Sequence, residues 1–304
     1  MAQQGPTAWS IGSPASRVLL RRLQLFRPAN LPTAAADILA GYAVAGMPTE
    51  SGVGLLVLAS VFLYAGGVAL NDFFDAELDA VERPERPIPS GAVSRTSAFW
   101  MGVGLLTAGI LAAFAVRTLS GIIALSLAYL ILLYNRWAKQ SPGSGPLLMG
   151  LCRSANLCLG LSIVPQVLFG YWYLSFIPLL YIGAVTLLSQ GEVSGGAGVR
   201  ERFAAGAVTM AIVAVGGATL LPGAEPNRAA PFLLLLAAAV IPAYVRAARK
   251  PEAHVIRGAV RLGVLSIILV DAVWASAFAG APAGLAVAML AGLSWGLARI
   301  FAVT

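Results

Sequence analysis

Residues 65–91 read "AGGVALNDFFDAELDAVERPERPIPSG", and this stretch decides the fold. Its first six residues are small or apolar, and Asn71 and Asp72 follow with no turn signal between. Six of the chain's 13 acidic side chains fall within it. An apolar helix that runs straight into carboxylates begins its acidic part at membrane depth. Ionised groups are costly there and persist only when compensated.

Helical phase gives the acids a common direction. Asn71, Asp75 and Asp79 advance by about 40° at each step, and Asp72 lies about 100° from Asn71, so all four occupy roughly a quarter of the helix surface. Glu77 points elsewhere, towards solvent. Three carboxylates and an amide oxygen on one strip repel each other unless a cation joins them. Hard oxygen ligands with room for water and phosphate suit Mg²⁺. Arg83 and Arg86 follow in a Pro-stiffened loop, so carboxylates, a cation and fixed guanidinium groups together describe a diphosphate site.

The rest of the chain supplies a membrane setting. Of 304 residues 59% are hydrophobic and 11% charged, with mean hydropathy +0.83. A soluble chain carries about 25% charged residues. Apolar runs fall at roughly 31–48, 53–74, 96–116, 119–136, 146–168, 172–189, 203–221, 230–247, 259–279 and 282–299. These predict an all-α polytopic bundle of nine to ten transmembrane helices. The net charge of +7 does not indicate nucleic acid, because the basic residues alternate between loops. Arg83, Arg86 and Arg95 lie in the second loop, Arg136 and Lys139 in the fourth, and Arg246, Arg249, Lys250, Arg257 and Arg261 in the eighth. Only Arg117 and Arg228 fall on the other side. The positive-inside rule then puts the N-terminus and the acidic loops in the cytoplasm, in a multi-pass cell-membrane protein.

Residues 1–16, rich in Gln, Ser, Gly and Pro, are expected to be flexible, and 17–304 to form one membrane domain. No cleavable signal peptide is expected. Cys152 and Cys158 sit six apart on different faces of one apolar run and are expected to pack as small apolar residues. Asp37 and Asp271 are acids inside apolar helices: Asp37 is expected to make an interhelical hydrogen bond or pair with an Arg, with a base in the cavity as the alternative, and Asp271 to make an interhelical bond. A second acidic loop, "SQGEVSGGAGVRER" at 189–202, follows the sixth apolar run as the first loop follows the second. That offset suggests two pseudo-repeated four-helix units around a central cavity. Oligomeric state is not legible here.

On these motifs the chain resembles the UbiA superfamily of intramembrane prenyltransferases. "NDFFDAELD" is similar to the family's NDxxDxxxD pattern and "RPERPIPSG" to its Arg-Pro continuation. "LFRPANLPT" resembles the entry to its first span, and "YNRWAK" its Y-x-x-x-K feature. "RPANLPTAAADILAG" and "SQGEVSGG" look most like an EboC-like branch. The resemblance implies Mg²⁺-dependent transfer of a prenyl group from an isoprenyl diphosphate to an acceptor within the bilayer, with release of diphosphate. The expected acceptor is small and aromatic or hydroxylated. It implies Asn71, Asp72, Asp75 and Asp79 as metal ligands. Arg27, Arg83, Arg86 and Lys139 would meet diphosphate oxygens, Asn30 would orient substrate, and Tyr134 would face the cation or a phosphate. Arg153 and Asn156, three apart on one face, are expected to bind diphosphate, with the diphosphate or a motif Asp as the partner of Arg153.

The second half-site departs from the family's pattern. Its three acidic positions fall on Ser189, Glu192 and Gly196, so Glu192 alone would ligate a metal there. Backbone N–H groups of the loop 191–198 are expected to reach phosphate. An active transferase and an isoprenoid-diphosphate binder or transporter-like relative without turnover both remain open on these residues.

Overall fold

The computed structural model describes residues 14–49, 52–139, 141–193 and 195–301. Of the segment 1–16, residues 1–13 lie outside them, and helix α1 (Pro14–Gln24) begins at Pro14. All regular elements among the described residues are helical. A short 3-10 turn, Pro28–Asn30, leads into α2 (Leu31–Val44), and α3 (Val53–Glu82) follows. Next come α4 (Arg95–Val116) and α5 (Thr118–Leu133), which ends in a π turn over Tyr134–Ala138. After α6 (Ser144–Leu161), the short α7 (Pro165–Tyr171) leads to α8 (Phe176–Ser189). The chain closes with α9 (Val199–Ala218), α10 (Pro226–Arg249), α11 (Ala253–Leu265), α12 (Ile267–Ala279) and α13 (Ala281–Leu297).

The decisive stretch behaves as its composition demands. α3 is a single helix of 30 residues, and the acids occupy its last turns with no break after the apolar part. At about 1.5 Å per residue it is roughly 45 Å long, longer than a hydrocarbon core of about 30 Å. Its acidic end therefore emerges on one side of the membrane as a continuation of the span.

Seven helical segments among the described residues are long and apolar enough to cross a membrane, fewer than the nine to ten expected. Each of the ten apolar runs is helical, but three fall short. α2 has 14 residues, about 21 Å of helix. α6 has 18 residues and carries Arg153 and Asn156 in its middle, which lowers its hydropathy. α13 is apolar but only 17 residues long. These elements pack within the bundle as interior or partial spans. The fold is a multi-pass membrane bundle.

Two large hydrophobic clusters form most of the interior. One draws Leu56, Leu63, Leu106, Leu127 and Leu159 from α3 to α6; the other draws Leu188, Val208, Leu236, Val260 and Trp274 from the later helices. α2 and α6 belong to both, with Ile38 and Leu159 in the first cluster and Ala36, Ala40, Leu157 and Leu161 in the second. They form the seam of the molecule. Glycines allow their backbones to touch there: a Cβ on Gly41 would stand 2.6 Å from the Gly160 carbonyl carbon, and one on Gly160 would stand 2.9 Å from Ile38 Cα. Asp37 and Asn156 each lie one turn before these glycines, so the close crossing presses their side chains together.

Candidate active site

The four polar side chains on the end of α3 divide into two pairs. Asn71 and Asp75 line a cavity of about 480 Å³, whereas Asp72 and Asp79 are buried beside it and turn to arginines. Helical phase explains the division. Asn71 and Asp75 sit near 0° and 40° and Asp79 and Asp72 near 80° and 100°, so the shared strip has two halves centred about 70° apart. Asp72 Oδ1 lies 3.3 Å from Arg27 Nη2 and 3.6 Å from Arg86 Nη1. Asp79 Oδ2 accepts from Arg86 Nη1 at 2.7 Å. The side chains in these pairs are largely withdrawn from solvent, which strengthens their attraction and makes loss of either partner costly.

Lys139 pairs with Asp75 on the cavity side. Arg27, Asn30, Arg83, Arg86, Tyr134 and Lys139 all line the cavity, so these candidate groups are brought together. Arg27 holds an unusual backbone conformation, with φ 45° and ψ 66° at the start of the 3-10 turn. A residue with a Cβ in the left-handed region is strained. The turn nevertheless places this guanidinium between Asp72 and Asn71, whose Oδ1 it reaches at 3.5 Å.

One residue passed over in the sequence is integral to the cluster. Asn135, in the π turn after α5, accepts from Asn71 Nδ2 at 3.1 Å and donates to the Gly67 carbonyl at 2.8 Å. Its position beside Tyr134 in "YNRWAK" was the available signal. A π turn widens the helix by one residue, and here it presents Tyr134, Asn135 and Lys139 to one cavity.

The second half-site reaches the same cavity from the end of α8 through Ser189 and Glu192. Glu192 is 8% exposed, and its Oε1 has no hydrogen-bond partner among the described residues. Burial pushes this carboxyl above the usual Glu range, while Arg83, Arg257 and Arg27 oppose the shift. Arg257 Nη1 donates to the Glu192 carbonyl at 2.8 Å and fixes the loop. The Ser189 hydroxyl donates to the Thr186 carbonyl, and Gly196 does not line the cavity.

Five amides of the Gly-rich loop are spent within the fold, contrary to the expectation that they reach phosphate. Gly191 N donates to Leu188 O, Glu192 N to Ser189 O, Gly195 N to Gly191 O and Gly196 N to Pro251 O. Gly198 N donates to Glu201 Oε2 at 2.8 Å, and Glu201 also pairs with Arg200. That carboxylate caps α9 and leaves Glu192 as the one acidic side chain of the loop in the cavity.

Arg153 and Asn156 depart from the predicted cluster. Both line the cavity, but the partner of Arg153 is Asp37, with Nε 2.8 Å from Oδ2, and not a motif Asp. Asn156 Nδ2 donates to the same Oδ2 at 2.7 Å. Asp37 thus makes interhelical contacts as expected, and Asp271 on α12 is buried close to it. Cys152 and Cys158 are free thiols.

Separate segments of the chain thus supply basic and acidic groups to a single cavity that also has an apolar wall, with Leu127, Ile131, Ile182, Val185, Val260 and Ile267. A model of the UbiA prenyltransferase family matches residues 30–192, over half of the chain. The chain belongs to the UbiA prenyltransferase family. Digeranylgeranylglyceryl phosphate synthase of Methanosarcina mazei is 36% identical over 139 residues, 45% of this chain and 46% of the relative. The enzyme of that name from Methanopyrus kandleri is 36% identical over 149 residues, 48% of this chain and 55% of its own. The one from Methanoregula boonei is 30% identical over 188 residues, 61% of this chain and 65% of its own. The chain spans about half the length of the first of these relatives. Among solved structures, one of digeranylgeranylglyceryl phosphate synthase in membranes superposes with TM-score 0.64 at 20% identity, covering 86% of this chain and 98% of that one. The apo structure of a UbiA homologue from Aeropyrum pernix gives 0.65 at 15% identity, covering 86% and 99%. These likenesses establish the UbiA fold.

Proposed function

We propose that this UbiA-family protein transfers an isoprenyl group, of the geranylgeranyl class, from its diphosphate to a hydroxyl of a glycerol phosphate acceptor within the membrane. The observation that carries the reading is the single cavity that joins Arg27, Arg83, Arg86 and Lys139 to Asn71, Asp75 and Glu192 and continues between apolar walls. The acceptor class follows the name of the relatives, whose product is a digeranylgeranylglyceryl phosphate; removing one prenyl group leaves geranylgeranylglyceryl phosphate. The relatives named above bear that name rather than EboC, which favours a glycerol phosphate lipid over an aromatic ring as the acceptor. The basic loops orient the cavity mouth to the cytoplasm.

Mg²⁺ fits this donor set. Asn71 and Asp75 from one half and the partnerless Glu192 Oε1 from the other present oxygens to the same space. Such an ion takes one or two carboxylates and completes its shell with phosphate and water. Bound there, Mg²⁺ would offset negative charge on the leaving diphosphate.

The chain's own groups perform the remaining work. Arg27 and Arg86, held by Asp72 and Asp79, keep fixed donors aimed at the diphosphate oxygens, so little reorganisation accompanies charge build-up. The allylic carbon–oxygen bond breaks, and its electron pair leaves with the diphosphate. The acceptor hydroxyl oxygen forms the new bond to that carbon, and its proton passes to the released diphosphate. Tyr134 and the apolar wall keep water from the allylic centre.

The test uses protein in nanodiscs with geranylgeranyl diphosphate, Mg²⁺ and geranylgeranylglyceryl phosphate. Diphosphate release together with a product of the mass of digeranylgeranylglyceryl phosphate is expected. Tight binding without release would instead favour the binder reading, to which the single carboxylate of the second half-site points.

A further inference from the structure

The cavity has a second polar region, separate from the diphosphate cluster. Thr33, Ser60, Arg153 and Asn156 line it. Ser60 precedes Asn71 on α3 by eleven residues, about 16 Å of helix. Tyr64, Gly67 and Val68 line the wall between them.

This region is fully organised from behind. Besides the Asp37 pair, Arg153 Nη2 donates to the Thr33 carbonyl at 2.6 Å and Nη1 to Thr33 Oγ1 at 3.3 Å. Asn156 Oδ1 accepts from Ser60 Oγ at 2.7 Å. A guanidinium carries five N–H bonds, so Arg153 retains donors beyond these contacts. None of the four residues bonds to the acids of the first region.

An isoprenyl tail gains nothing from such a wall. Buried donors facing a hydrocarbon chain lose their water without return, at about 1–3 kcal/mol each. The cations of the first region are matched to a diphosphate. A reaction that joins two substrates in one cavity has a further oxygen-bearing group to place: the head of the acceptor.

We propose that Arg153 is the residue that recognises the acceptor, taking its oxygen-bearing head group by hydrogen bonds, with Ser60 and Asn156 beside it. Asp37 is a positioning residue that fixes the guanidinium and is itself backed by Asp271. The paired charges of Arg153 and Asp37 cancel, so the site selects by directed hydrogen bonds more than by net charge. This inference rests on the prenyl-transfer reading above.

The experiment measures binding in nanodiscs, so that it does not depend on turnover. One series titrates geranylgeranyl thiolodiphosphate with Mg²⁺. A second titrates geranylgeranylglyceryl phosphate onto protein saturated with that analogue, and a third does the same with geranylgeranylglycerol. The variants are Asp37→Asn combined with Arg153→Gln, which removes both buried charges together, and Ser60→Ala, which leaves the ion pair intact. The double variant is expected to weaken acceptor binding at least tenfold, and Ser60→Ala about threefold, with thiolodiphosphate affinity within threefold of wild type. A larger loss for the phosphate lipid than for the alcohol assigns the phosphate to Arg153, and equal losses assign the glycerol oxygens. Unchanged acceptor affinity in both variants, or a parallel loss of thiolodiphosphate binding, overturns the proposal. Wild-type protein that binds both ligands yet forms no product overturns the transferase reading alone.

Discussion

Asn71 Nδ2 donates to Asn135 Oδ1 at 3.1 Å, and this one bond ties the end of α3 to the π turn after α5. Asn135 is 3% exposed and spends its own amide on the Gly67 carbonyl, so its orientation is fixed from two sides. An amide nitrogen anchored in this way turns Asn71 Oδ1 towards Arg27 and the cavity. Substitution Asn135→Leu removes the anchor while keeping the volume. Diphosphate release should fall about tenfold to a hundredfold, and the unfolding free energy by about 1–3 kcal/mol for the bonds lost. Steady-state kinetics and thermal unfolding in the same detergent check both values, and unaltered kinetics would show that Asn71 needs no anchor.

Arg27 combines a strained backbone with two polar contacts across to α3. Glycine adopts φ near 45° without the penalty that a side chain meets, about 1–2 kcal/mol. Arg27→Gly therefore relieves strain but leaves Asp72 with Arg86 as its remaining cationic partner. Thermal stability should change little, because the two effects oppose each other. Affinity for geranylgeranyl diphosphate should fall at least tenfold, and Arg27→Lys should recover only part of it, since an ammonium lacks the planar fork. Titration calorimetry distinguishes these outcomes; a variant that binds as well as wild type would remove Arg27 from the diphosphate site.

Much of this site was legible in advance, and what was not has identifiable causes. The 71–79 strip could be read because α3 is continuous, so phase arithmetic applies from Val53 to Glu82. The same arithmetic did not divide the strip, because only the arginines folding back onto it distinguish the half facing Asp72 and Asp79 from the half facing the cavity. Asn135 was hidden by a π turn, which shifts register by one residue and defeats helical spacing. The partner of Arg153 lies 116 residues away on α2, and which of several acids meets it depends on a helix crossing. The count of spans failed where hydropathy was averaged over apolar runs without regard to helix length, as in the 14 residues of α2.

The α2–α6 crossing offers a test of how that geometry is held. A side chain at Gly160 would collide with the Ile38 backbone at 2.9 Å, and backbone atoms have little freedom to move aside. Gly160→Val should force the helices apart, at a cost of about 1–3 kcal/mol or more. Because Asn156 lies one turn away, the bond from Asn156 Nδ2 to Asp37 should lengthen as well. We expect a lower melting temperature together with weakened acceptor binding, while Gly104→Ala on α4, where a Cβ meets open space, should leave both unchanged. Equal behaviour of the two variants would mean that the crossing is loose.

Glu192 gives a prediction in pH. Burial raises its folded pKa above the usual Glu value, with Arg83, Arg257 and Arg27 opposing. A raised carboxyl pKa favours the protonated form in the folded protein. Its stabilising contribution is therefore present below the unfolded pKa and is lost as pH rises through the folded value. Metal binding has the opposite requirement, because only the carboxylate ligates Mg²⁺ well. Mg²⁺-dependent diphosphate binding should then weaken as pH falls through a value above the normal Glu range, while the fold gains stability over the same interval. Glu192→Gln should abolish that acid limb and raise the Mg²⁺ concentration for half-maximal binding at neutral pH about tenfold. Binding titrations at several pH values, with thermal unfolding alongside, test both signs. An acid limb that persists in Glu192→Gln would place the titrating group elsewhere, with Asp75 the next carboxylate on the cavity wall.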